Sequence, residues 1–153
     1  MRSVNRMYFN SINLFIQRWR KEFCESVFFH LKDVGYSNVF LQPNGELMDK
    51  YVNESESPII VTNLISRAPI KKTISKTDFY IPTLEKILVD VFSEEAIFMA
   101  FKGTEQTVIF ENAIRYCELN FKKLFAYAKR RNKETALKKY LYKCLPSLLK
   151  TII

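Results

Sequence analysis

The apolar positions in the first part of the chain change from an alternating to a helical spacing. Apolar side chains at every second position of residues 12–16 predict a β-strand. From Trp19 to Val34 they recur at steps of three and four, which predicts a helix. Gly35 follows, and glycine is the residue type that most easily closes a helix in a left-handed conformation. The pattern therefore predicts a strand and then an amphipathic helix ending at Gly35.

Three further segments extend this pattern as far as Asn63. Residues 39–41 and the β-branched run 59–61 predict two more strands, and residues 43–52 between them predict a short helix. The residues expected to face inward on that helix are Leu47, Met48 and Tyr51. A strand–helix–strand–helix–strand order is typical of a parallel sheet with crossover helices.

The second half of the chain is predicted to be helical after a polar loop over residues 66–77. Residues 79–81 predict one more short strand stopped by Pro82, and Thr83 is a suitable helix cap. The predicted helices lie near residues 84–91, 96–101, 108–117, 121–128 and 137–144. The last should end before Pro146, and the apolar tail beyond it must pack on something.

The apolar stripes of these helices predict which side chains are buried. The stripe of the helix at 84–91 contains Leu84, Ile87, Leu88 and Val91. Lys86 lies off that stripe and is expected to be exposed. The stripe of the helix at 108–117 contains Val108, Ile109, Ala113, Tyr116 and Cys117. Asn120 is a plausible cap for the helix at 121–128.

The fold class predicted from these elements is α/β. Its N-terminal half is a small, mostly parallel three- to four-stranded sheet with crossover helices, and its C-terminal half is α-helical. At 153 residues the chain suits a single domain, with an α/β half over 1–82 and a helical half over 83–153.

Positive charge is concentrated at the C-terminal end. The whole chain has a net charge of +8. The basic residues after Leu119 are Lys122, Lys123, Lys129, Arg130, Arg131, Lys133, Lys138, Lys139, Lys143 and Lys150. Only Glu134 opposes them. This asymmetry indicates an acidic partner, either nucleic acid or an acidic protein face, or else the solvated faces of helices.

The strongest cluster of this charge follows Tyr127. Lys129, Arg130, Arg131 and Lys133 are predicted to form an exposed basic ridge, and Tyr127 beside them could stack on a base. Arg67, in the preceding polar loop, is a further candidate contact. These residues are the candidate binding site for a protein partner or a nucleic acid.

Catalytic residues are not predicted. A nucleophilic triad would require His30, the only histidine, which lies on the first predicted helix. The predicted strands end in Gln17, Gln42 and Asn63, where a magnesium-dependent nuclease needs carboxylates. The acidic residues Asp90, Glu94 and Glu95 are expected to be solvated. We therefore expect no enzyme activity, no metal and no cofactor.

The cysteine content and the apolar runs indicate a cytoplasmic protein. The three cysteines have no CxxC spacing, which is typical of reduced thiols. No apolar run is long enough to span a bilayer, and the apolar stretch at 12–16 leads into basic residues rather than a cleavage site. No membrane partner is expected.

Several segments together resemble a known family. They are Leu64–Ile70 (LISRAPI), Ile81–Phe92 (IPTLEKILVDVF) and Tyr127–Lys133 (YAKRRNK), supported by Glu25–Lys32 (ESVFFHLK) and Asn38–Pro43 (NVFLQP). In these segments the chain is similar to the C-terminal domain of AbiEi-type antitoxin and transcriptional-regulator proteins, of type IV toxin–antitoxin systems. The resemblance covers residues 20–142, and the PTLEKILVD segment is its most specific part.

That resemblance implies a non-enzymatic antitoxin of a two-gene system whose partner is a nucleotidyltransferase-like toxin. The family's regulators usually have a winged-helix DNA-binding domain first, and too few residues precede the first predicted strand to form one. Two other functions stay open. The basic C-terminal helices could bind nucleic acid, or the α/β half could be a degenerate nuclease-like domain. The oligomeric state is also open.

Overall fold

The chain forms two units, Met1–Ser66 and Arg67–Ile153, in a computed structural model that describes residues 12–16, 21–73, 80–94 and 96–146. The predicted strand end at Gln17 and the apolar tail after Pro146 lie outside the described residues.

The first unit is built on a three-stranded parallel sheet, as predicted. Its strands are β1 (Ile12–Ile16), β2 (Val39–Leu41) and β3 (Ile59–Asn63), in the order β1-β3-β2. Both outer strands align their first residue with Ile59. Strand β3 lies in the centre, and its first three side chains are buried on both faces of the sheet. This explains why residues 59–61 form a continuous apolar run rather than an alternating one.

Helix α1 (Lys21–Asp33) packs on β2 and β3. Gly35 ends it with φ of +99°, and the N–H of Tyr36 donates to the carbonyl of Leu31 at 3.0 Å. This is the left-handed closure predicted from the glycine. Between the helix and the sheet lies a small core that contains Cys24, Val39, Ile59 and Val61, with Phe28, Leu31 and Leu41 against it.

The short helix of the first unit, α2, begins as an α-helix at Gly45–Leu47 and continues as a π-helix over Met48–Val52. The Asn44 side chain caps it by accepting from the N–H of Leu47 at 2.9 Å. The wider π winding buries Met48 and Val52, four residues apart. The prediction that Leu47 and Tyr51 face inward is wrong, because the expected α-helical spacing does not apply and both are exposed.

The second unit begins with an antiparallel pair of short strands, β4 (Ile70–Lys72) and β5 (Tyr80–Pro82). The strand near residues 79–81 was predicted, but its partner β4 falls within the predicted polar loop. With only three residues, of which two are lysines, β4 has no apolar alternation that a sequence pattern could show. The pair forms its own sheet and adds nothing to β1-β3-β2.

Four α-helices follow in the described part of the second unit. They are α3 (Leu84–Ser93), α4 (Thr104–Tyr116), α5 (Phe121–Arg130) and α6 (Glu134–Cys144). Helix α6 ends before Pro146, and Asn120 caps α5, as predicted. None of the helices in the described ranges is long and apolar enough to cross a membrane.

The prediction of a helix at residues 96–101 is wrong. This segment forms turns and a single 3₁₀ turn at Met99–Phe101. A six-residue segment forms few of the backbone hydrogen bonds that offset the cost of starting an α-helix. Gly103, with φ of +69°, separates this turn from α4.

Helix α3 is buried on almost all sides, because α4 and α5 both pack against it. Sequence reasoning assigned one buried stripe, as for a surface helix. That assignment is correct for Leu88 and Val91 but wrong for Ile87, which is exposed, and for Lys86, which is buried.

The inward face of α4 is also displaced from the predicted stripe. Val108 and Tyr116 are exposed, and Gln106 and Phe110 are buried instead.

Candidate functional site: a buried ionic network in a basic helical hairpin

Helix α3 places an ion pair inside the second unit. Lys86 and Asp90 lie one helical turn apart, and the Lys86 ammonium pairs with one carboxylate oxygen of Asp90. The whole Lys86 residue is only 2% exposed. The prediction that Asp90 is solvated is therefore wrong, because the second buried face of α3 contains this pair.

Tyr127 joins the pair from helix α5. Its hydroxyl donates to the other carboxylate oxygen of Asp90 at 2.9 Å, and the ring is 0% exposed. Removing two charges from water costs several kcal/mol per ion unless hydrogen bonds satisfy the remaining lone pairs. The Tyr127 hydroxyl supplies one such bond and fixes α5 on α3.

Two further contacts join α3 to α5 at the ends of the helices. The Glu85 carboxylate accepts from the N–H of Asn120 at 3.1 Å, immediately before α5. At the other end Arg131, just past α5, pairs with Glu94, just past α3. We call Glu85, Lys86, Asp90, Glu94, Asn120, Tyr127 and Arg131 the ionic network.

The environment of the network shifts three of its pKa values. Burial raises the pKa of Tyr127 well above its ordinary value, and the adjacent Asp90 carboxylate raises it further. Burial alone would lower the pKa of Arg131, but the hydrogen bond to Glu94 outweighs it and the pKa rises. Burial alone would raise the pKa of Glu85, but hydrogen bonds including that from Asn120 lower it below its ordinary value. The last two shifts favour the charged forms within the network.

The turn after α5 gives the YAKRRNK segment a structural role. Asn132 adopts φ of +54°, and the N–H of Lys133 donates to the carbonyl of Ala128 at 2.9 Å. The N–H of Asn132 donates to the carbonyl of Lys129 at 3.0 Å. These two bonds form a Schellman closure, in which asparagine is the usual alternative to glycine. The turn leads directly into α6, so α5 and α6 form a helical hairpin.

The structure separates the residues of the predicted basic ridge. Lys129 and Arg130 are exposed, and Lys133 is half-buried. Arg131 is not part of an exposed ridge, because its side chain turns toward Glu94 and remains only 13% exposed. Tyr127 is not available for stacking on a base, because it is buried against Asp90.

Arg67 lies beside one of these residues. The Arg130 guanidinium donates to the Arg67 carbonyl at 2.8 Å, and Arg67 adopts φ of +55°. The structure therefore brings Arg67 and Arg130 together, but through a backbone oxygen that fixes the Arg130 side chain.

The outer faces of the hairpin are basic along their whole length. The exposed residues of α5 are Lys122, Lys123, Ala126, Lys129 and Arg130. The exposed residues of α6 are Thr135, Ala136, Lys138, Lys139, Tyr142 and Lys143. Lys138 links the two helices, because its ammonium lies 5.0 Å from the centre of the Phe125 ring on α5. The same ammonium lies 2.6 Å from Glu134 within α6. Sequence reasoning identified the charge of this region, including the lysines of α6, but not the exposed Tyr142 among them.

In the first unit, the carboxyl end of β3 is bonded to helix α1. The Cys24 thiol donates to the Asn63 side-chain oxygen at 3.0 Å, and burial raises the Cys24 pKa. Within the described ranges no group of three or more histidine, cysteine, aspartate or glutamate side chains is placed to hold a metal ion.

The ionic network could be found only in part from sequence. Lys86 and Asp90 have the i, i+4 spacing of a helical ion pair, which is a usable signal for the pair itself. The hydrogen bond between Asp90 and Tyr127 joins residues that are 37 positions apart, and so does the pair between Glu94 and Arg131. No local sequence pattern indicates either contact.

Comparison with known proteins assigns a family to the chain. Residues 9–147 match a model described as a family of unknown function, DUF6577, and the chain belongs to that family. No curated protein and no solved structure matches the chain.

Proposed function

We propose that this member of the DUF6577 family is a non-enzymatic, antitoxin-like regulatory domain that neutralises a nucleotidyltransferase-like toxin in the cytoplasm. The proposal starts from the resemblance of the IPTLEKILVDVF and YAKRRNK segments to the C-terminal domain of AbiEi-type antitoxins. One structural observation supports it most. These two segments, which are far apart in sequence, bond to each other through Asp90 with Tyr127.

The chemistry of the two segments also favours a binding role. Their ionisable side chains at Lys86, Asp90, Tyr127 and Arg131 are bonded within the protein rather than directed at a solvent-exposed cleft. Groups used in this way stabilise a fold and position its surfaces. We therefore assign Lys86, Asp90, Tyr127 and Arg131 to the packing of the second unit, and the contact with the toxin to side chains on its surface.

Growth rescue tests the proposed function directly. The proposal predicts that a nucleotidyltransferase-like protein is encoded next to this chain. That protein is induced alone, with the chain, and with two single-residue variants of the chain. Lys86→Met should weaken rescue, because it breaks the buried ion pair of the ionic network and destabilises the second unit. Lys71→Met, at an exposed position on β4, is the matched control and should rescue growth like the unchanged chain.

Two results would count against the proposal. The first is an unchanged chain that accumulates as folded protein yet gives no growth rescue. The second is rescue by the Lys86→Met variant even where circular dichroism shows that its helices are lost. Either result would separate the toxin-neutralising function from this fold.

A second candidate function is nucleic-acid binding. The specific observation that favours it is the basic outer surface of the α5–α6 hairpin, where Glu134 is the only acidic residue from Phe121 to Pro146. This surface is independent of the ionic network.

A further inference from the structure

Three arginines of the second unit, Arg115, Arg130 and Arg131, have partners within that unit. Arg131 pairs with Glu94, Arg115 pairs with Glu111, and Arg130 donates to the Arg67 carbonyl. The lysines on the outside of α5 and α6 are different. Apart from the Lys138–Glu134 pair, no described carboxylate forms an ion pair with an exposed lysine of the hairpin. The positive potential of this surface is therefore largely uncompensated.

The exposed lysines surround an aromatic side chain. Tyr142 lies on α6 and is 58% exposed. Lys138 lies four residues before Tyr142, Lys139 lies three residues before it, and Lys143 follows it directly. All three lysines are on the same exposed face of α6. The contact between Lys138 and Phe125 connects that face to Lys122 and Lys129, which flank Phe125 on α5. We call Lys122, Lys129, Lys138, Lys139, Tyr142 and Lys143 the basic hairpin face.

We propose that the basic hairpin face binds single-stranded RNA. Its lysines contact phosphates and the Tyr142 ring stacks on an unpaired base. Proteins that bind single strands combine a positive surface with exposed aromatic rings in this way. Unpaired loops and ends are also the usual sites at which proteins recognise RNA.

The composition of the face favours RNA over an acidic protein. Lysine is depleted at protein–protein interfaces, whose buried centres are apolar. Lysine is the commonest residue of this face, and the apolar side chains exposed beside it on the two helices are the small Ala126 and Ala136. A single strand is favoured over a duplex, because a ring can stack only on a base that has left its own stack.

Fluorescence anisotropy with a labelled 12-nucleotide uridine RNA tests the proposal on the full chain. If four lysines each neutralise one phosphate, the log–log dependence of affinity on salt should have a slope of roughly −3, since each contact contributes about −0.7 in single strands. Lys139→Ala with Lys143→Ala should flatten that slope by about 1.4. Tyr142→Ala should weaken binding by roughly 5- to 150-fold, and Tyr142→Phe should retain the affinity.

The control removes the same charge from other places. Lys50→Ala with Lys71→Ala lowers the net charge by two at exposed positions in α2 and β4, and should leave the slope unchanged. Circular dichroism establishes that each variant has kept its helices, and a variant that loses them is replaced by Lys139→Gln with Lys143→Gln.

Four outcomes would overturn the proposal. They are an absence of RNA binding by the unchanged chain at 100 mM salt, an equal loss of affinity in the control, equal binding of a 12-base-pair duplex, and tighter binding of polyglutamate than of RNA. Tighter binding of a 12-nucleotide thymidine DNA would assign the face to DNA instead of RNA. The outcome does not depend on whether the chain neutralises a toxin.

Discussion

Replacing Lys86 with methionine is the sharpest test of the ionic network. Methionine keeps the length and most of the volume of the lysine side chain and removes only its charge and its hydrogen bonds. In the folded protein this leaves the Asp90 carboxylate buried without the ammonium that pairs with it. The Tyr127 hydroxyl still donates to Asp90, but a single neutral hydrogen bond does not replace a charge partner.

The expected loss follows from the burial of the pair. Removing one member of a buried ion pair costs about 3–5 kcal/mol, because the remaining charge is uncompensated. Leu88→Ala, at a side chain that is also fully buried, should cost about 2–5 kcal/mol through the cavity it leaves. Sequence reasoning, which placed Lys86 on the surface, predicts a change within about 0.5 kcal/mol for Lys86. A buried Lys86 and an exposed Lys86 therefore predict losses that differ by about 3 kcal/mol or more.

Urea denaturation followed by the helical circular dichroism signal measures these losses. A second substitution identifies the cause. Asp90→Asn in the Lys86→Met background removes the uncompensated charge and keeps an oxygen that can accept from Tyr127, so it should recover at least about 1 kcal/mol. A loss below about 1 kcal/mol for Lys86→Met, or no recovery on adding Asp90→Asn, would show that the buried charge does not determine stability here.

Three further predictions concern α5 and the turn that follows it. Arg131→Ala should lower the free energy of unfolding by about 1 kcal/mol in urea melts, since its partner Glu94 is partly solvated, and the exposed Lys129→Ala should change it by less than half as much. Asn132→Ala should cost about 1 kcal/mol because φ is +54°, whereas Asn132→Gly should cost nothing, and the reverse order would exclude the left-handed closure. Because the pKa of Tyr127 is raised, the folded protein keeps the tyrosine proton at a pH where the unfolded chain releases it. The free energy of unfolding should therefore fall as pH rises above about 10. Urea midpoints measured from pH 8 to 11.5 should show a smaller fall for Tyr127→Phe.

The strands and most helices could be predicted from sequence because their signals are local. The strands at 12–16, 39–41 and 59–61, the glycine closure at Gly35 and the cap at Asn120 all depend on residues within one or two turns of each other. The errors occur where a local signal is too short or is overridden. Strand β4 has three residues, and the six-residue run before Lys102 forms a 3₁₀ turn instead of a helix.

The buried faces of the helices were harder to predict, because burial depends on how many neighbours a helix has. An apolar stripe identifies one packed face of a helix. Helix α3 has a second packed face, on which the polar residues Lys86 and Asp90 pair with each other. Lys86 and Asp90 appear as surface residues in any pattern that counts only apolar side chains. The i, i+4 spacing of opposite charges was present, but it is equally typical of an exposed helix, so burial could not be inferred from it.

The same distinction applies to the charged segment at Tyr127–Lys133. Sequence reasoning assigned its aromatic and basic residues to one surface, but the helix divides them. Tyr127 and Arg131, four residues apart, point into the unit toward Asp90 and Glu94, and Lys129 and Arg130 remain outside. The segment therefore both specifies the packing of α5 on α3 and begins the basic outer surface. Substitutions at Tyr127 and Arg131 should therefore lower stability, whereas substitution of the exposed Lys129 should change the affinity for RNA with little effect on stability.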